Sequence, residues 1–531
     1  MHCEGIFWDE SFFPKMPPLT TYPLLLLMAR IPTLSFDRGT LIVHPPPKGK
    51  AWVDYATWDD RVEKFRIPAI YYRPFVEVLQ AEQTNFVDNA RAFETIELVA
   101  STDREPYPHQ SEALAAWKQA GRRGVVVLPT AAGKTYLALL AMQATPRSTL
   151  IVVPTIDLMH QWYAQLLATF PHAEVGLLGG GSRDRTAILV ATYDSAAIHA
   201  EALGNRFALL IFDECHHLPT DFNRVIAEYA IAPYRLGLSA TPERTDGKHA
   251  DLNILIGKEV YRKTAEELAG KALANHEVVQ IKVKLSEQER DRYNQLICDR
   301  NTFLKQSKIS LGSLKGWQLF VQASARSAAG RRAMLAHREA KEIALGTNGK
   351  MRILSELLAK HYPERTLIFT ADNATVYRIS QEFLIPAITH QTPVKERHEV
   401  LTRFREGEYK TLVASHVLNE GVDVPAARVA IILSGTGSAR EYVQRLGRVL
   451  RKGNGDKLAL MYEVIAEETS EERTSTRRRG EHRRDVALLR LPQPESPSEI
   501  VPIYGVGGNV TKRVADASVE WRSDNSEKIE D

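Results

Sequence analysis

Cysteine is scarce in this sequence: Cys3, Cys215 and Cys298 are all that 531 residues contain. They show no metal-ligand spacing and their number is odd, which argues against a zinc module or a disulfide scaffold and for a reducing, cytosolic setting. An excess of one charge is also missing, since 68 Lys and Arg against 65 Asp and Glu leave only +3. Any contact with nucleic acid must then come from local clusters of basic residues. Long hydrophobic runs are lacking as well. The apolar stretch PLLLLMA from Pro23 to Ala29 falls short of the ~20 residues that span a bilayer, so no membrane role is expected. Glu4, Asp9 and Glu10 stand where a secretory leader carries basic residues. The text before RIPTLSFDRGTLIVH has no pattern, which makes Met28 an alternative start and residues 1–27 an N-terminal extension.

What is present is ordinary globular composition, 44% apolar and 25% charged, in a chain long enough for several cores. Short apolar runs and turns, followed by the helical stretch YYRPFVEVLQAE, predict a small α+β domain over 28–100. From Tyr107 onward, the apolar strands GVVVL, TLIVVP, AILVATY, ALLIFDE and RLGLSAT alternate with helical text. Continuous apolar strands belong in a parallel sheet covered on both faces, which predicts an α/β domain over 101–284. The rhythm returns in TLIFT, TLVAS and RVAIILS, giving a second α/β domain over 351–490. Between the two, 285–350 reads as long helices rich in Arg300, Lys305, Lys308, Lys315, Arg326, Arg331, Arg332, Arg338 and Lys341. Such a run is usually a solvated face. Here Phe303, Trp317 and Phe320 interleave the bases, which favours a strand-contacting element, although Trp317 and Phe320 equally suit a core. The polar tail, 491–531, offers little to pack and is expected to be disordered.

Three segments carry chemistry. LPTAAGKT, Leu128 to Thr135, follows an apolar strand and opens a helix, as a phosphate-binding loop does, but Leu128 replaces the first glycine. Pro129 and Thr130 lead into the backbone amides of Ala131, Ala132, Gly133, Lys134 and Thr135, which remain able to cradle a phosphate. Lys134 would reach the outer phosphates and the Thr135 hydroxyl would hold Mg2+, with ATP as the nucleotide. FALLIFDECHH ends a strand on Asp213 and Glu214, a pair suited to holding Mg2+ (Asp213) and orienting the attacking water (Glu214). His216 and His217 lack further ligands at zinc spacing. In EYVQRLGRVLR, Gln444, Arg448 and Arg451 fall four and three apart, so on a helix they share a face that could reach a γ-phosphate across a cleft.

These segments, in this order from about Tyr107 to Arg451, resemble the superfamily 2 helicases and translocases. YPHQSEAL resembles the upstream motif in which a glutamine, here Gln110, reads adenine. VVPTIDLMHQW is similar to motif Ia and implies nucleic-acid contacts at Pro154 and Thr155, while LSAT (Leu238 to Thr241) resembles motif III. SHVLNEGVDVP resembles motif V, implying nucleotide contacts at Gly421 and Asp423, and QRLGRVLR resembles motif VI. The resemblance implies that His216, Ser239, Thr241 and Gln444 couple hydrolysis to movement. Within that superfamily the sequence is similar to the XPB excision-repair family of archaea and bacteria. TPERTDG matches its Arg-Glu-Asp element at Arg244 and Asp246, with Thr245 departing, and Ala131 departs from a glycine more common there. The implied fold is two RecA-like parallel-sheet domains with a damage-recognition-like N-terminal domain and a thumb-like basic insert. DNA contacts follow at Arg244, Asp246, Arg326, Arg331 and Arg332. The implied activity is ATP-dependent DNA unwinding or translocation with 3′ to 5′ polarity, acting on single-stranded, forked or duplex DNA. The setting would be prokaryotic, cytoplasmic and nucleoid-associated, in repair. Two alternatives stand beside it: a double-strand translocase of a nuclease or phage-defence system, and a DNA-binding scaffold with a dead ATP site. No nuclease cluster is evident, so cutting would need a partner nuclease.

Overall fold

The computed structural model describes residues 31–49, 51–101, 104–244, 246–269, 272–273, 276–313, 315–415, 427–434, 459–472, 475 and 486–489. The extension at 1–27 and the tail at 491–531 lie outside the described residues.

Alternating burial makes TLSFD and TLIVH a hairpin, Thr33–Asp37 with Thr40–His44. Its two turn residues, Arg38 and Gly39, both have positive φ (46° and 84°), which matches the twist of a tight hairpin. Gly39 is also needed for space: a Cβ there would sit 2.5 Å from the ring of Tyr229 in the next domain. The hairpin belongs to a 5-stranded sheet in the order Thr57–Asp59, Lys64–Pro68, Thr40–His44, Thr33–Asp37, Val87–Asp88. Helix Tyr72–Ala81 covers it with Tyr72, Phe75, Val76 and Leu79. This unit is fixed to the following domain. Arg73 Nη1 donates to the carbonyls of Gly121 (2.6 Å) and Pro233 (3.1 Å), and Asn205 Nδ2 donates to that of Ala90 (2.9 Å). Gly121, Pro233 and Asn205 all lie just before strands of the second sheet, so the small domain sits at that sheet's N-terminal edge.

The second sheet is 8-stranded, in the order Glu259–Arg262, Arg123–Val127, Tyr234–Ser239, Leu209–Asp213, Thr149–Val153, Ile188–Thr192, Val175–Gly179, Ser182–Arg183. Only the last pair is antiparallel. Thr149–Val153, Ile188–Thr192 and Leu209–Asp213 are buried at every residue, as strands covered on both faces must be. The order brings the C-terminal ends of four neighbouring strands, and the loops after them, into one row at the edge opposite the small domain. Ligands bind at such ends in parallel sheets.

The third sheet is 7-stranded among the described residues and wholly parallel: Ala387–Ile388, Thr411–Ala414, Thr366–Phe369, Val429–Ile432, Ala459–Ala466, His276–Val283, Val486–Leu489. One expectation is corrected here. Residues 276–283, assigned by sequence to the first α/β domain ending at 284, form a strand of this later sheet, paired along its length with Ala459–Ala466. Buried Gln280 fixes the register by donating to Glu463 Oε2 and Ser475 Oγ, both at 3.3 Å.

The basic insert is helical: Glu287–Gln306, Gly316–Arg326 and Ala328–Gly346. Ser286 and Glu289 form a capping box on the first. Its root packs Tyr293 and Leu296 against Ala336, Ala340 and Ala344, and its outer end packs Leu304, Phe320 and Ala333. Phe320 is therefore core, while Trp317 is 50% exposed. Arg326, Arg331 and Arg332 are exposed. No helix among the described residues is long and apolar enough to cross a membrane.

Candidate nucleotide site and its coupling residues

The loop after Arg123–Val127 begins with Leu128, fully buried, whose N–H donates to the Ser239 carbonyl at 3.0 Å. A glycine is thus not needed at this position; an apolar side chain fills core. Further on, Ala131 and Gly133 both take left-handed backbone (φ 69° and 82°), curling the loop so that helix Lys134–Gln143 starts from it. A Cβ on Gly133 would lie 2.3 Å from Gln110 Nε2. Lys134 Nζ donates to the Leu128 carbonyl at 3.2 Å and stands 3.8 Å from Glu214 Oε1. The Thr130 hydroxyl is buried with no hydrogen-bond partner, an orphaned polar atom inside a loop of the shape that takes phosphate. Thr135 lies in the first helical turn, where an anion is favoured.

Gln110 packs against this loop. It is fully buried, its Oε1 accepts from Tyr107 N (2.9 Å), and its Nε2 donates to the carbonyls of Ala132 (3.3 Å) and Gly133 (3.2 Å). His109, unnoticed in the sequence, adds Nε2 at 2.8 Å from the Ala132 carbonyl. In this arrangement the carboxamide holds the loop's backbone.

The carboxylate pair ends strand Leu209–Asp213. Asp213 Oδ2 accepts from Trp162 Nε1 at 2.8 Å, Oδ1 accepts from Glu214 N at 3.0 Å, and the Asp213 carbonyl accepts from Tyr193 OH at 3.0 Å. Trp162 and Tyr193 were not legible as site residues, because they come from helices 51 and 20 positions away in sequence. Burial first, and then the Glu214 charge, push the Asp213 carboxyl up to about 6, against the opposing pull of Lys134 and Trp162. Glu214 adopts left-handed backbone (φ 46°), turning the chain sharply and directing its carboxylate toward Lys134. Such strain is stored at functional sites.

Ser239 forms the next node. Its Oγ lies 3.2 Å from His216 Nδ1, donates to Glu214 Oε2 at 3.4 Å, and accepts from Thr241 N at 3.1 Å. The expected coupling residues His216, Ser239 and Thr241 are therefore contiguous with Glu214. Thr155 accepts from Leu158 N at 3.2 Å and so caps helix Ile156–Thr169, just after Pro154 at the end of a neighbouring strand. Arg244 and Asp246, expected as DNA contacts, are turned toward each other: Arg244 Nε and Nη2 fork the Asp246 carboxylate at 2.9 and 2.6 Å. Glu420, Gly421, Asp423, Gln444, Arg448 and Arg451 lie outside the described residues.

A curled loop opening a helix, a lysine facing paired carboxylates and a serine–histidine relay, all at one end of a parallel sheet, define an NTP-binding motor domain of helicase type. The family models agree: "Type III restriction enzyme, res subunit" matches 103–244, "Xeroderma pigmentosum group B helicase damage recognition domain" matches 34–90, and "Helicase conserved C-terminal domain" matches 349–453. A "DNA 3'-5' translocase XPB2" of Sulfurisphaera tokodaii is 41% identical, over 80% of this chain and 95% of that protein. The "DNA 3'-5' helicase XPB" proteins of Kineococcus radiotolerans and Mycobacterium tuberculosis are each 31% identical, over 69% and 66% of this chain. The aligned part spans only 60% and 59% of those two bacterial relatives. The chain belongs to the XPB family of superfamily 2 helicases. Family membership carries with it nucleotide use and DNA binding.

Proposed function

We propose that this protein is an ATP-driven DNA motor that moves or unwinds DNA in the 3′ to 5′ direction, in the service of DNA repair in a prokaryotic cytoplasm and nucleoid. The observation that carries the reading is the row of strand ends that gathers Lys134, Asp213, Glu214 and Ser239 around one loop. The loop amides and Lys134 bind the phosphates of ATP. Asp213 and the Thr135 hydroxyl are the groups suited to Mg2+, which supplies charge neutralisation across the outer phosphates when bound. Glu214 positions the attacking water and takes its proton. His216, Ser239 and Thr241 pass the change at Glu214 to the loops beyond. Arg448 and Arg451 complete the site from the second RecA-like domain, with Gln444, Gly421 and Asp423, so that turnover follows domain closure.

Pro154, Thr155 and the exposed bases of the helical insert hold the DNA, chiefly through phosphates, with little sequence preference and a steep salt dependence. The Sulfurisphaera relative is named a translocase and the two bacterial relatives helicases, so the motor either moves along DNA without parting its strands or separates them. Strand displacement compared with triplex displacement separates the two. The motor itself is tested by Lys134→Ala, for which DNA-stimulated phosphate release falls at least 100-fold with the fold retained. Normal turnover in that variant defeats the assignment, and an inert wild type favours the scaffold alternative.

A further inference from the structure

Arg244 does more than pair with Asp246. Its third bonded nitrogen, Nη1, donates to the main-chain carbonyl of His216 at 2.7 Å. That carbonyl belongs to the short 3-10 turn Cys215–His217 directly after Glu214. The His216 ring on the same residue faces Glu214 Oε2 at 3.4 Å and Ser239 Oγ at 3.2 Å. A continuous chain of contacts thus runs from the carboxylate that orients water, through one residue's ring and carbonyl, to a guanidinium and on to the loop after Ser239. At its far end Asp246 also accepts from Lys248 N at 3.1 Å, and Lys248 Nζ meets Asp221 at 2.6 Å, so the loop is anchored on both sides of the link.

We infer that Arg244 is a positioning residue that transmits the state of the hydrolytic site to this loop, and is not itself a DNA contact. The inference rests on the motor reading above. The geometry favours it over a phosphate-binding role on two counts. The Arg244 side chain is only 19% exposed, and the fork that a phosphate would occupy is filled by Asp246. Only a planar guanidinium can fork one carboxylate and bond a carbonyl from a third nitrogen at once; a lysine ammonium in its place keeps the charge but not that geometry.

The test uses full-length Arg244→Lys and Asp246→Asn, with DNA affinity measured by fluorescence anisotropy across a salt series and ATP hydrolysis at saturating DNA. A lost phosphate contact lowers affinity and reduces the salt slope by about one unit. A lost link leaves both unchanged and lowers kcat. The expected result is affinity within twofold of wild type, an unaltered salt slope, and kcat at saturating DNA reduced at least tenfold with KM for ATP retained. DNA binding doubles as the control for folding; should R244K not fold, D246N carries the same comparison. Retained kcat, or weaker DNA binding with a shallower salt slope, overturns the inference. If wild-type hydrolysis is not stimulated by DNA, the motor reading falls and the link with it, whereas a stimulated wild type matched by R244K removes the link alone.

Discussion

Ala131 holds left-handed backbone, φ 69°, in a loop whose curl depends on that conformation. A side chain there costs about 1–2 kcal/mol, while glycine costs about 0.5–1 kcal/mol of extra chain entropy. Strain outweighs entropy, so Ala131→Gly is expected to stabilise the protein by roughly 0.5–1 kcal/mol and to raise its affinity for ATP. A denaturant midpoint and a nucleotide titration check both, and a destabilised variant would mean the loop relaxes out of this conformation. Asp213 offers a pH signature. With its carboxyl raised from 3.8 to about 6 by burial and by Glu214, the folded state favours the neutral acid. That contribution is complete below pH 3.8 and is lost as pH rises through about 6. The cost of the buried charge at pH 8 is on the order of 3 kcal/mol. In metal-free buffer, Asp213→Asn should therefore gain melting temperature over wild type between pH 5 and pH 8. A difference that stays constant over that interval would place the Asp213 titration elsewhere.

The helical insert is built in two tiers, and this decides how it should be perturbed. Its root cluster of Tyr293, Leu296, Ala336, Ala340 and Ala344 joins it to the third sheet through Leu285 and Ala466, so excising 300–341 would strip Ala336 and Ala340 from their partners. Reversing exposed charges is the cleaner change. Arg326→Glu, Arg331→Glu and Arg332→Glu together should leave thermal stability within about 1 kcal/mol and flatten the salt dependence of DNA binding by about three contacts' worth, each worth ~0.7–0.9 in slope. An unchanged slope would return this face to plain solvation. The insert's helices were readable because helical text replaced strand text and Ser286–Glu289 marked a start; its aromatic residues were only half readable. Phe320 and Trp317 are three positions apart, yet one is core and the other half-exposed, since which helix face meets the neighbouring helix is fixed by packing. The strands of the first RecA-like sheet were legible as continuous apolar runs. His276–Val283 was not placed, because Glu277, Gln280 and Lys282 interrupt its apolar pattern and its partner strand lies far downstream. Likewise the loop, carboxylate and LSAT segments announced themselves by residue type. Trp162, Tyr193 and His109 did not, because each acts through a contact that only the fold creates.

At the level of the whole molecule, an ion pair among the described residues ties the RecA-like lobes together directly. Arg397 Nη1, in the first turn of helix Val394–Glu406, meets Asp157 Oδ2 at 2.7 Å, in the first turn of helix Ile156–Thr169. The side chains are 14% and 22% exposed, between the surface pairs worth almost nothing and the buried ones whose rupture costs several kcal/mol. An intermediate value of about 1–2 kcal/mol follows, enough to change an open-to-closed ratio by roughly tenfold. Arg397 Nη2 also donates to the Thr392 carbonyl at 3.2 Å, which holds the guanidinium toward the first lobe. The bridge lies two residues beyond Thr155, on the face proposed for DNA, so it bears on the lobe spacing at the point where a strand would cross. Removing Arg397 is the cleaner probe, because Asp157 additionally favours its own helix N-terminus. Arg397→Ala should enlarge the radius of gyration of the nucleotide-free protein in small-angle X-ray scattering and leave its melting temperature nearly unchanged. The double exchange Asp157→Arg with Arg397→Asp should restore the compact value. If the single variant scatters like wild type, the apolar cluster that includes Leu166 of one lobe and Phe404 of the other suffices to hold them, and the ion pair sets only their register.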